Sequence, residues 1–230
     1  MASIVIMASS IGSACLVGSV LFKKGYSKSV AEVFASITAQ GVATSLAIYY
    51  LLTSGLSYLF TLRITPQIMI VWLCTALGAA LTVVISNRLY TSSEPPIVKE
   101  FLSLYSTCRP CFYIIPLAIA PFCEEVLFRG SLQGWLSTMI GAWPALIIAA
   151  TIFTLGHIKA LGLGKGLITA AILSVILGIP VALYNTLIPS ITIHVICNLL
   201  GMRGVARGYT LKQRIETSVL KPLPSSNISS

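Results

Sequence analysis

The sequence predicts an all-α protein: a polytopic transmembrane helix bundle of about seven membrane helices. Three observations predict it. Hydrophobic residues make up 56% of the 230-residue chain and charged residues only 9%, against about 25% charged in soluble domains. The apolar residues gather in runs close to 20 residues long, enough at about 1.5 Å per residue to cross a hydrocarbon layer of roughly 30 Å. The cations alternate between the loops that join those runs, as the positive-inside rule requires. A soluble globular domain, a disordered tail and a disulfide-stapled secreted module are all excluded by this composition.

The first run is Ser3–Phe22. It has no basic region before it and no clear cleavage site after it, so it reads as a retained span rather than a signal peptide. The second run, Val30–Phe60, is long enough to hide a re-entrant piece, which would raise the count to eight. The third is about Ile64–Ser86. These runs form an N-terminal group of membrane helices over 1–86. Residues 87–110, with Glu94-Pro95-Pro96, read as a cytoplasmic linker. Four runs follow within 111–202: about Cys111–Met139, Trp143–Ile158, Gly166–Ile188 and Pro189–Met202. Residues 203–230 read as a basic cytoplasmic tail.

With the N-terminus outside and the C-terminus in the cytoplasm, thirteen of the fifteen Lys and Arg residues fall inside. Arg63 alone falls in an outer loop, and Arg129 lies within a span. A wrong span count would scramble this alternation. The formal net charge of +9 therefore reflects membrane orientation, with membrane lipid as the partner and no nucleic acid. Cys108-Arg-Pro-Cys111 is a single CxxC, too weak to indicate redox chemistry or zinc. Asn227-Ile-Ser229 fits a glycosylation triplet but falls in the inside tail.

An ionisable side chain at the centre of a span costs at least about 2.5–3.5 kcal/mol. Those present mark where function lies. Between Cys111 and Met202 they are Glu124, Glu125, Arg129, His157 and His194, with Asn198 as a polar companion. Both histidines of the chain are among them. Glu125 and Arg129 are four apart with the acid first, the favoured orientation for an ion pair. That leaves Glu124 without a partner on its own helix, as suits a general base or acid. Phe153 and His157 share a helical face, and so do His194 and Asn198. The second pair could aim two hydrogen bonds at one developing oxyanion. Taken singly, each feature has a plain structural explanation as an ion pair, an interhelical hydrogen bond or packing. Together they fall on three helices in order.

That order resembles the CPBP family, the CAAX-protease and bacteriocin-processing (Abi-type) endopeptidases. The motifs stand as Glu124-Glu125-Val126-Leu127-Phe128-Arg129, Phe153–His157 and His194–Asn198, within about residues 110–203. The resemblance implies an intramembrane endopeptidase, in the cell (inner) membrane of a bacterium, hydrolysing a membrane-associated or lipidated peptide or protein. By that similarity Glu124 activates a water with help from His157. His194 and Asn198 form the oxyanion hole. Glu125 and Arg129 hold the first motif's helix, and Phe153 packs beside His157. No metal is expected; zinc is the lesser alternative, through Glu124, His157 and His194. Two other classes stay open: a non-catalytic immunity or scaffolding protein, and a proton-coupled transporter. No inverted repeat of broken helices supports the transporter.

Overall fold

The computed structural model describes residues 13, 15–17, 19–20, 23–25, 28–61, 64–89 and 111–201. Most of the first run, nearly all of the linker and the whole tail lie outside these residues, as do Cys108 and Asn227. Every regular element among the described residues is helical.

Helix α1 covers Lys28–Thr53 and is followed by a 3-10 turn at Ser57–Phe60. Helix α2 covers Pro66–Leu89. It opens on proline, whose missing N–H is unpaired at that position anyway. The Thr65 hydroxyl accepts from Ile68 N–H at 3.3 Å, the usual N-cap bond. Helix α2 thus runs three residues into the segment read as linker. Helix α3, Cys111–Glu124, passes without a break into a π-helix at Glu125–Gln133 and then into α4, Gly134–Ile140. Gly141, at φ 87°, turns the chain into α5, Ala142–Gly156. One short turn, α6 (Ile158–Leu161), leads to α7, Lys165–Tyr184. Asn185 ends α7 in the left-handed conformation and its N–H bonds Val181 O. Helix α8 covers Ile188–Gly201.

Among the described residues two helices are long and apolar enough to cross a membrane, Pro66–Ser86 and Lys165–Tyr184. Ala142–Gly156 and Ile188–Gly201 are shorter apolar helices. The α3–π–α4 rod has the length of a span but carries charge at its middle. Seven spans is therefore more than the described helices show. The surface of α2 is what a lipid solvent calls for: only 17% of its apolar window is buried, and Met69, Ile70, Leu73, Leu77 and Leu81 all point outward. In water such a stripe would be an association surface.

Helix α7 is the central post, packed along both α5 and α2. The π-helix lies against α1, α5 and α7. Lipid tails are as apolar as leucine, so close contact between backbones has to hold such helices together. Small residues make that contact possible. Ala145, Ala149 and Ala150 of α5 are buried. A Cβ on Gly130 would lie 3.0 Å from Leu51 and 3.1 Å from Leu187; one on Gly178 would lie 3.0 Å from both Gln133 and Leu146. Leu187 N–H bonds Leu59 O at 2.9 Å, joining two connections that the charge alternation puts on one face. At the other end of α7 the Thr169 hydroxyl bonds Ser86 at 2.9 Å.

Candidate active site

The π-helix brings the first motif into the bundle. Its bonds run from residue i to i+5, a geometry found mostly at functional sites. Ser131 Oγ donates to Val126 O at 3.3 Å, and Gly134 N–H bonds Arg129 O. The wider turn keeps residues four apart on one face. Glu125, Arg129 and Gln133 share that face and are almost completely buried.

Most of the buried polar atoms there have partners, although Glu125 Oε2 and Arg129 Nη1 make no hydrogen bond. Arg129 Nε lies 3.3 Å from Glu125 Oε2. Its Nη2 donates to Ser174 O at 3.1 Å and to Ser174 Oγ at 2.9 Å. Its guanidinium carbon lies 4.5 Å from the centre of the Phe153 ring, a cation–π contact. One turn on, Gln133 Nε2 donates to Gly178 O at 3.0 Å. Two rungs, Arg129–Ser174 and Gln133–Gly178, thus fix the register of α7 against the π-helix. The Glu125–Arg129 pair expected from the spacing is present. Glu125 also has a second partner that the spacing does not show: His194 Nδ1 lies 2.7 Å from Glu125 Oε1.

Glu124, the last residue of α3, faces the two histidines. His157 Nε2 is 3.7 Å from its Oε1, and His194 Nε2 is 3.8 Å from its Oε2. The side chain keeps 17% exposure and that of His157 keeps 25%, so solvent can reach them. Glu124 therefore has no partner on its own helix but two across the bundle. Both separations exceed a direct hydrogen bond.

The ring orientations are fixed from behind. His157 Nδ1 lies 2.8 Å from Phe153 O. A carbonyl can only accept, so this nitrogen carries the proton and Nε2 turns toward Glu124. Phe153 is buried between the motifs. Its ring stacks on His157 at 4.2 Å, meets His194 edge-on at 6.1 Å and meets Phe128 edge-on at 5.1 Å. Its place at the junction goes beyond packing beside His157. Asn198 lies one turn beyond His194 on α8 and is half-buried; it makes no hydrogen bond among the described residues. Of the four residues expected to catalyse, the structure thus converges three.

Whether the site suits a metal turns on its donors. Two imidazoles and a carboxylate are chemically competent zinc donors. Among the described residues, however, no three His, Cys, Asp or Glu side chains gather closely enough to hold a metal ion.

Residues 108–200 match the family model described as type II CAAX prenyl endopeptidase, Rce1-like. This segment is similar to that family. The match fits the CPBP resemblance carried by the three motifs, and it covers α3 through α8 with every residue of the site. The comparisons with curated proteins and with solved structures give no match. Ser174 and Gln133 are the site residues that sequence reasoning passes over. Both are neutral, and their only signal is polarity inside an apolar run.

Proposed function

We propose that the chain is an intramembrane endopeptidase in which Glu124 activates a water for attack on a peptide bond. The observation that carries this reading is the approach of two imidazole Nε2 atoms, from different helices, to the two oxygens of one carboxylate. A water held between Glu124 and His157 would give its proton to the carboxylate as it attacks the carbonyl carbon. Glu124 would then return that proton to the leaving amine. His194, protonated at Nε2, would donate to the oxyanion, with Asn198 one turn away as the second donor. In that role Nδ1 faces Glu125 and Nε2 faces the oxyanion.

The mechanism needs no metal. The substrate is a membrane-associated or lipidated peptide, reaching the site from the bilayer or from the cytoplasmic end, where His157 closes α5. The protein would sit in a bacterial cell membrane with its C-terminus in the cytoplasm. The test is direct. The purified chain in proteoliposomes is given a farnesylated CaaX peptide and an unprenylated membrane-anchored peptide, and products are read by mass spectrometry. A new C-terminus in either supports the reading. No cleavage, with pH-gradient-driven uptake instead, would establish a transporter.

A further inference from the structure

The motif spacing makes Glu125 the ion-pair partner of Arg129, and its carboxylate does reach that guanidinium. Its shorter contact is elsewhere. Glu125 Oε1 lies 2.7 Å from His194 Nδ1, while Oε2 lies 3.3 Å from Arg129 Nε. The carboxylate is therefore a bridge between two helices, with one oxygen on each partner.

The bridge is enclosed by burial. Glu125 is completely buried and Arg129 nearly so. Arg129 is itself anchored by the carbonyl and hydroxyl of Ser174 and by the face of Phe153. Ser174 stands on α7, a helix that carries none of the three motifs, and is buried. The carboxylate stands in an ion pair with that arginine, and a carboxylate oxygen accepts. The proton between Glu125 and His194 must then sit on Nδ1. Nε2 is left facing Glu124, and the ring cannot flip without stranding a buried carboxylate.

We infer that Glu125 is a positioning residue for His194: it fixes the proton on Nδ1 and aims Nε2 at Glu124, with Arg129 and Ser174 holding Glu125 in place. The arrangement is the counterpart of the carboxylate–histidine pairs that set ring orientation and tautomer elsewhere. Its catalytic consequence rests on the peptidase reading; the tautomer does not.

The chain has only two histidines, so protein labelled with 15N-histidine has four ring nitrogens, and NMR can assign each. In the detergent-solubilised chain His194 is expected to carry a proton on Nδ1. In Glu125→Ala the His194 signals should move to the other tautomer while those of His157 stay. In Glu125→Gln, whose amide oxygen can still accept, the Nδ1 proton should be kept. A bare Nδ1 on His194 in the unmodified chain would overturn the inference, and so would His194 signals indifferent to Glu125→Ala. The first of these needs no variant to fold. On a peptide that the chain cleaves, Glu125→Ala should lower kcat by about 10–100-fold with KM little changed. An unchanged kcat beside a moved tautomer would overturn the catalytic role given to His194 and leave the positioning role standing.

Discussion

Removing the charge of Arg129 should unfold the bundle, and the size of the effect follows from its surroundings. The side chain is 1% exposed, and that of its partner Glu125 is fully buried. Arg129→Met keeps much of the volume but removes the guanidinium. Glu125 would then be a buried carboxylate facing only His194, and both bonds to Ser174 would be gone. Breaking a buried pair from one side costs about 3–5 kcal/mol. At about 2–4 °C per kcal/mol for a chain of this size, the midpoint should fall by roughly 6–20 °C. Thermal unfolding of the detergent-purified chain, followed by far-UV circular dichroism, measures this. The double variant Arg129→Met/Glu125→Met should recover part of the loss, because an apolar pair of similar volume leaves no buried charge. A loss below about 1 kcal/mol in the single variant, the range of an exposed pair, would refute the argument that this network holds the site.

Three further outcomes follow from the packing and the donors. Gly178→Ala should destabilise by about 1–3 kcal/mol through overpacking against Gln133 and Leu146, whereas Gly41→Ala, which meets nothing within 4 Å, should be neutral or stabilising by up to about 1 kcal/mol; chemical denaturation of both variants checks the contrast. Phe153→Ala should cost about 3–5 kcal/mol and abolish cleavage, since one ring touches Arg129, His157 and His194; Phe153→Leu should retain more of both in the same melting and cleavage assays. Dialysis against a strong chelator should leave cleavage of a reporter peptide unchanged, and restoration of lost activity by added zinc would contradict the metal-free mechanism.

The site was legible where the sequence spends charge in an apolar setting. Glu124, His157 and His194 stand out because nothing in a membrane helix tolerates them without reason, and the structure brings them to one place. The Glu125–Arg129 pair was legible from its spacing alone. What stayed hidden has physical causes. The contact between Glu125 and His194 spans 69 residues, and no local pattern encodes it. The π-helix leaves no compositional mark, because i→i+5 bonding uses the same residues as i→i+4. Ser174 and Gln133 are neutral, and neutral polar side chains are common enough in spans to pass unnoticed. The helix boundaries followed the apolar runs closely from Ile64 onward. The long second run resolved into one helix and a 3-10 turn, because Gly55, at φ 73°, ends α1 and the chain turns there.

In the proposed mechanism Glu124 and His157 act together on one water. Cleavage of a membrane-anchored reporter peptide by equal amounts of folded wild-type, Glu124→Gln and His157→Ala protein tests it most directly. The predicted result is a loss of about 10²–10⁴-fold in each variant, the usual contribution of general acid–base catalysis, with membrane expression and melting behaviour preserved. Full activity in both variants would contradict it.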